Sequence, residues 1–221
     1  MATRPYQKDK MTYTLNSKFI VIEGLEGAGK STAIAIVKNW LQSKGMSDII
    51  TTREPGGTPI AEKLRTLVKT VFEEEKLVSE SELLLMYAAR VQLVCNVIQP
   101  ALSRGTWVIG DRHELSTRAY QGGGRGIAQS SLEMLYALCL KNFKPHLTLY
   151  LDISPSLGFE RIQIRGHKDR IEQEDLSFFE RVRAVYRSYV SEKDAIFEID
   201  ASQSMDKVHA DIVTILEKHC L

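Results

Sequence analysis

The segment IEGLEGAGKST, residues 22–32, constrains this chain more than any other part of it. It has the spacing G-x-x-x-x-G-K-[ST] and begins inside the apolar run FIVIE, residues 19–23. A run that is apolar at nearly every position reads as a strand buried on both faces. From about Lys30 onward, Ala33, Ile36, Val37, Trp40 and Leu41 share one helical face, and Gly45 closes the helix. A glycine-rich turn between a buried strand and a helix N-terminus presents backbone N–H groups and the positive end of the helix to an anion. Gly24, Leu25, Glu26, Gly27, Ala28, Gly29, Lys30, Ser31 and Thr32 are therefore the predicted loop around the phosphates of a nucleotide. Lys30 is placed to reach the terminal phosphates and Ser31 to ligate Mg2+. Glu26 is the anomaly, a carboxylate inside a loop built for anions.

The rest of the chain alternates in the same way. Strands are expected at 48–52, 106–110, 147–152 and 195–200. A helical stretch covers about 59–72. Ser79 and Glu82 have capping-box spacing and open a long helix to about 104, bent or broken near Pro100. Ser154-Pro155 reads as N-cap and first position of another helix. Strand–helix alternation predicts an α/β fold of the P-loop NTPase type, three layers with a parallel sheet covered by helices. Residues 1–17 read as a flexible polar extension without an apolar signal core, ahead of a single domain over 18–221. Net charge is +1, so no bulk field points to nucleic acid or a membrane surface, and neither is an expected partner. No apolar run approaches the roughly 20 residues of a membrane span. The three cysteines, Cys95, Cys139 and Cys220, form no metal pattern and read as free thiols of a cytoplasmic protein.

Basic clusters stand near the ends of predicted strands: Arg53 in TREPGGT, Arg112 beside Asp111 in GDRHELS, and Arg161, Arg165 and Arg170 in ERIQIRGHKDR. Ligands of open α/β sheets bind outside the carboxyl ends of the strands. Two guanidinium groups opposite a phosphate loop point to a second phosphorylated substrate. The D-x-x-G and N-K-x-D readers of a GTPase are absent. A kinase for another monophosphate and a nucleotide-gated binding module remain the alternatives at this point.

The segments FIVIEGLEGAGKST, TREPGGT, YAARVQL, GDRHELSTRAYQGGGRG and LTLYLDISP together resemble the bacterial branch of the thymidylate kinase family. The resemblance runs from about residue 18 to the C-terminus. It implies a five-stranded parallel sheet, a lid at about 161–174, a homodimer, and phosphoryl transfer from Mg2+-bound ATP to dTMP. Lys30, Arg112 and Arg165 take the catalytic positions, and Ser31 and Asp111 those beside Mg2+. The resemblance places Arg53, Arg112 and Arg65 at the dTMP phosphate and Arg90 at the thymine O4. Ser116 and Thr117 fall in the base pocket, Gln121 among the dTMP-binding residues, and Tyr120 against the sugar C2′, where a ribose hydroxyl would not fit. It turns Glu26 toward the 3′-hydroxyl of the acceptor and gives Pro55 the position of a cis-proline. Two positions depart from the pattern. Met86 stands where relatives often stack an aromatic ring on thymine, and Gln163 where they can carry another lid arginine.

Overall fold

The computed structural model describes residues 17–163 and 169–220, with residues 162 and 163 as backbone only. Residues 1–16 of the expected extension and residues 164–168 of the expected lid, Arg165 among them, lie outside the described residues. Ser17 belongs to the folded part, because it is buried and its Oγ donates to the Leu102 carbonyl at 3.0 Å.

Five parallel strands form the sheet: β1 (Phe19–Gly24), β2 (Ile49–Arg53), β3 (Trp107–Asp111), β4 (Leu147–Asp152) and β5 (Ile196–Asp200). Their order is β2-β3-β1-β4-β5. Alternate residues of β1 enter opposite layers. Ile20 and Ile22 pack with Val37, Leu41, Val182 and Ile212 on one face. Phe19 and Val21 pack with Leu93, Ile98 and Leu102 on the other. That period of two is why residues 19–22 are apolar at every position. Strand order reverses at β1, which lies between β3 and β4, so the crevice beyond its carboxyl end is the place where such sheets bind ligands.

Helix α1 (Lys30–Ser43) leaves the phosphate loop directly, and α2 (Pro59–Lys69) starts at Thr58, whose side chain accepts from Ala61 N. Helix α3 (Ser79–Leu93) passes through a wide π turn at Val94–Ile98 into α4 (Gln99–Ser103). Pro100 therefore does not end the helix. It has no N–H for the carbonyl one turn back, and the wide turn immediately before α4 takes up the mismatch. The expected capping box is also absent: Val78 is the N-cap, and Glu82 turns inward instead of back to the helix start. Taken as one helix, Ser79–Ser103 has the length and mean hydropathy (1.3) of a membrane span, but half of that window is packed inside the protein. It also carries the buried charges Glu82 and Arg90, which marks it as a core helix.

The chain then forms α5 (Glu114–Thr117), a second π turn (Arg118–Gly124), α6 (Gln129–Leu140), α7 (Pro155–Gln163), α8 (Leu176–Ser188) and α9 (Met205–Cys220). Ser154 caps α7 as expected, its Oγ accepting from Leu157 N at 3.4 Å.

Candidate active site

The phosphate loop runs from the end of β1 to Lys30 and packs on α7. A Cβ at Gly27 would sit 2.5 Å from the Gly158 carbonyl oxygen, and the residue has φ 79°, so glycine is required on both counts. Gly158 supplies the other half of this contact, because a Cβ there would meet the Glu26 carbonyl at 2.8 Å. Arg161 braces the loop from α7, donating to the Gly27 carbonyl at 3.3 Å.

A cavity of about 270 Å³ opens beside the loop, beyond the carboxyl ends of β2 and β3. Of the residues expected at the acceptor, Glu26, Arg53, Arg65, Met86, Arg112, Ser116, Tyr120 and Gln121 border it. Lys30 and Asp111, expected at the phosphates and the metal ion, border it as well.

Arg112 is the centre of the site. Its backbone has φ 70°, an uncommon conformation for an arginine that turns the side chain off the strand end. NH2 donates to Glu26 Oε1 at 2.7 Å and to Tyr120 Oη at 3.1 Å. NH1 donates to Ser116 Oγ and Tyr186 Oη, both at 3.1 Å. The guanidinium also lies over the Tyr120 ring, 5.0 Å from its centroid. Burial disfavours the charge, but Tyr120 and Glu26 more than offset that and hold the group firmly protonated.

Glu26 lies between the two sides. Its Oε2 is 3.6 Å from Lys30 Nζ, and its Oε1 carries the bond to Arg112. Lys30, opposed by burial and seconded by Arg112, holds the Glu26 carboxyl far below the ordinary range. Lys30 also donates to the Leu25 carbonyl at 2.8 Å, and burial, then Arg112, push its own pKa down. The acid in the loop is thus the counter-ion of two cations, one on each side of the site.

Arg53 is exposed and paired with Glu62 at 3.0 Å, while Arg65 donates to the Pro55 carbonyl at 2.7 Å. The Glu54–Pro55 peptide is cis. Arg90 and Thr117 do not border the cavity. Arg90 Nε donates to Glu54 Oε2 at 2.6 Å, and its NH2 to the His113 carbonyl and Thr117 Oγ1. One nitrogen of Arg90, NH1, is buried without a partner among the described residues and is the atom still free to donate. Glu54 accepts from both Arg90 and His113, and although burial opposes it, those two groups keep its carboxyl below the usual value.

Sequence reasoning missed several groups here. Glu54, Lys69, Asp169, Ile171 and Glu172 also border the cavity. Residues in the second half of the expected lid are fastened across it: Asp169 pairs with Lys69 at 2.6 Å, and Arg170 donates to the Val68 carbonyl and to Glu82. Glu82 also receives Gln121 and Arg125. Arg170 is therefore engaged in a clasp, and Glu82 has a tertiary role that its capping-box spacing concealed.

The donor set suits Mg2+, a hard cation bound by few protein oxygens together with phosphate. Asp111 Oδ1 is buried with no hydrogen-bond partner among the described residues, and Ser31 is exposed at the start of α1. No group of three or more His, Cys, Asp or Glu side chains gathers into a fuller metal centre among the described residues.

The family model for thymidylate kinase matches residues 22–212. The chain belongs to the thymidylate kinase family. It is 56% identical over 202 residues to the thymidylate kinase of Pseudoalteromonas translucida (strain TAC 125), covering 91% of this chain and 96% of that protein. Identity to the thymidylate kinase of Shewanella frigidimarina (strain NCIMB 400) is also 56% over 202 residues, covering 91% and 94%. The crystal structure of thymidylate kinase from Ehrlichia chaffeensis superposes with a TM-score of 0.73 at 29% identity, covering 92% of this chain and 99% of that one. ATP-dependent phosphorylation of dTMP is the reaction this site is built for.

Met86 tests the base end of such a thymidylate kinase pocket. It borders the cavity while Arg90, on the next turn of the same helix, stands behind it. Met86→Phe is expected to add a stacking surface, lowering the KM for dTMP by an amount bounded at about 1–3 kcal/mol. kcat should stay near the wild-type value, because ground and transition states hold the base alike. Steady-state kinetics check this, and a folded variant with an unaltered KM would show that Met86 does not reach the base.

Proposed function

We propose that dTMP occupies the cavity with its phosphate between Arg112, Arg53 and Arg65. Thymine then lies toward Met86, with Arg90 NH1 as the donor to O4 behind it. Ser116 and Gln121 shape the wall around the base, and Thr117 stands behind it as a partner of Arg90. Tyr120 lies against the sugar, and Glu26 accepts from the 3′-hydroxyl. The observation that carries this reading is the bridge Lys30–Glu26–Arg112, which joins the phosphate loop to the cavity by one carboxylate.

ATP lies along the loop from Gly24 to Thr32, with Lys30 at its terminal phosphates and Ser31 and Asp111 as the protein ligands of Mg2+. The ion supplies charge neutralisation on the nucleotide phosphates. Phosphoryl transfer needs donor and acceptor in line and the spreading negative charge offset. Lys30 and Arg112 offset it from the two sides. Arg165, known here from sequence only, is assigned the same task from the lid. Asp169 and Arg170 hold the end of that segment over the cavity, where water would otherwise compete as acceptor.

The homodimer implied by the resemblance has support in α3 and α6, two helices that pack together and expose Leu84, Met134 and Leu138. A cytoplasmic location fits three free cysteines. Neither nucleic acid nor a membrane enters this reading.

The bridge makes a testable split. Glu26→Ala is expected to impair the kinetics with dTMP about tenfold or more, the cost of losing a charge-assisted bond, while ATP affinity measured by calorimetry changes little. A large loss of ATP affinity with unchanged dTMP kinetics would place the carboxylate on the donor side only.

A further inference from the structure

Glu23 is the last side chain of β1 before the loop glycine, and it is fully buried. Four donors converge on its carboxylate. Oε1 accepts from His113 N at 2.8 Å and Ser116 N at 3.2 Å. Oε2 accepts from Ser116 Oγ at 2.5 Å and Tyr186 Oη at 3.0 Å. The same two hydroxyls receive Arg112 NH1. A guanidinium has no acceptor atom, so both hydroxyl oxygens must accept from Arg112. Each hydroxyl has one proton. The two oxygens are also 2.8 Å apart, so one hydroxyl can donate to the other, and the last proton of the pair goes to Glu23 Oε2. Arg112, the two hydroxyls and Glu23 thus form one network that starts at a donor and ends at the carboxylate. Burial pushes the Glu23 carboxyl up, against Arg112 and the donors from Ser116, His113 and Tyr186, which favour the carboxylate.

Tyr186 is itself immobilised. It is buried in α8 and stacked on Tyr150, with ring centroids 4.9 Å apart and planes at 15°. Helix α8 begins just after the clasp residues 169–172, so the segment that borders the cavity and the helix that orients Arg112 are continuous in sequence.

We propose that Glu23 and Tyr186 are positioning residues for Arg112, fixing the plane of its guanidinium toward the phosphate of the acceptor. This rests on the reading that Arg112 binds that phosphate. Neither residue borders the cavity, and both act only through Arg112. Tyr186→Phe removes one acceptor from NH1 with almost no change of volume. Glu23→Gln is sharper. Its oxygen must stay with the two backbone N–H groups, so its amide nitrogen faces the hydroxyls. They would then accept from it as well as from Arg112, and the proton that ends on Glu23 in the wild type would lose its acceptor.

The test is calorimetry with two probes, dTMP and thymidine, which lacks the phosphate, on wild type, Tyr186→Phe, Glu23→Gln and Arg112→Ala, each checked by thermal melting. Tyr186→Phe is expected to weaken dTMP about tenfold, as loss of a bond to a charged group does, and Glu23→Gln more, with thymidine and ATP affinities unchanged in both. Wild-type dTMP affinity in Tyr186→Phe, with dTMP lost in Arg112→Ala, would overturn the inference alone. Equal weakening of dTMP and thymidine would also overturn it, since that marks collapse of the pocket. Unchanged dTMP affinity in Arg112→Ala would sink the phosphate reading, and the inference with it.

Discussion

Arg112→Ala is expected to lower kcat/KM for dTMP by about a thousandfold or more, the scale on which an arginine that neutralises a transferring phosphoryl group acts. The size follows from how the side chain is held. Four hydrogen bonds and the Tyr120 ring fix the guanidinium in one place. A cation fixed in advance loses little when the phosphate arrives, and it acts in a site where water screens it poorly. In the proposed placement it meets the acceptor in the ground state as well, so both KM for dTMP and kcat should suffer. ATP affinity should change little, since Lys30 keeps Glu26 as its partner. Steady-state kinetics with ATP calorimetry measure the split, and a loss below about tenfold would remove Arg112 from the acceptor phosphate.

Lys30→Ala is expected to fall on the other side. Its Nζ is held by the Gly24 and Leu25 carbonyls and by Glu26, all at the mouth of the loop. Loss of this donor to the terminal phosphates should lower kcat by about a hundredfold to a thousandfold, the range found for one preorganised electrostatic contact. Affinity for ATP should fall with it. Affinity for dTMP should stay within a few fold of wild type, because Arg112 still pairs with Glu26. If Lys30→Ala and Arg112→Ala gave the same pattern of ATP and dTMP losses, the division of the site into two sides would be wrong.

Much of the fold was legible because it rests on local periodicity. The buried strands each read as short apolar runs, and their observed ends lie within one residue of the expected ones. The phosphate loop and the strand-end arginines were equally plain, since Lys30, Arg53 and Arg112 sit in contiguous motifs. Pairings between distant segments were not. Glu23 and Tyr186 are separated by 163 residues, and Arg112 and Tyr186 by 74. Nothing at either position marks the other, and a glutamate at the end of a strand resembles any exposed acid. Glu82 shows the opposite failure, a local signal outweighed by three tertiary donors, Gln121, Arg125 and Arg170. Arg90 stands one turn beyond Met86 on α3, yet helix periodicity does not say how far a long side chain turns. Here it turns to Glu54 and Thr117.

Selection of the acceptor tests the account most directly. Tyr120 is held by Arg112 and packed edge-on against Phe178, Phe179 and Tyr186, so its ring has little room to yield. In a coupled assay of ATP consumption, dTMP should be the best acceptor. dUMP, lacking only the methyl group, should be weaker by roughly 1 kcal/mol of apolar burial. UMP should be poorer by about tenfold to a hundredfold, the cost of forcing its 2′-hydroxyl against a packed ring. Equal kcat/KM for dTMP and UMP would contradict the placement of the acceptor in this cavity.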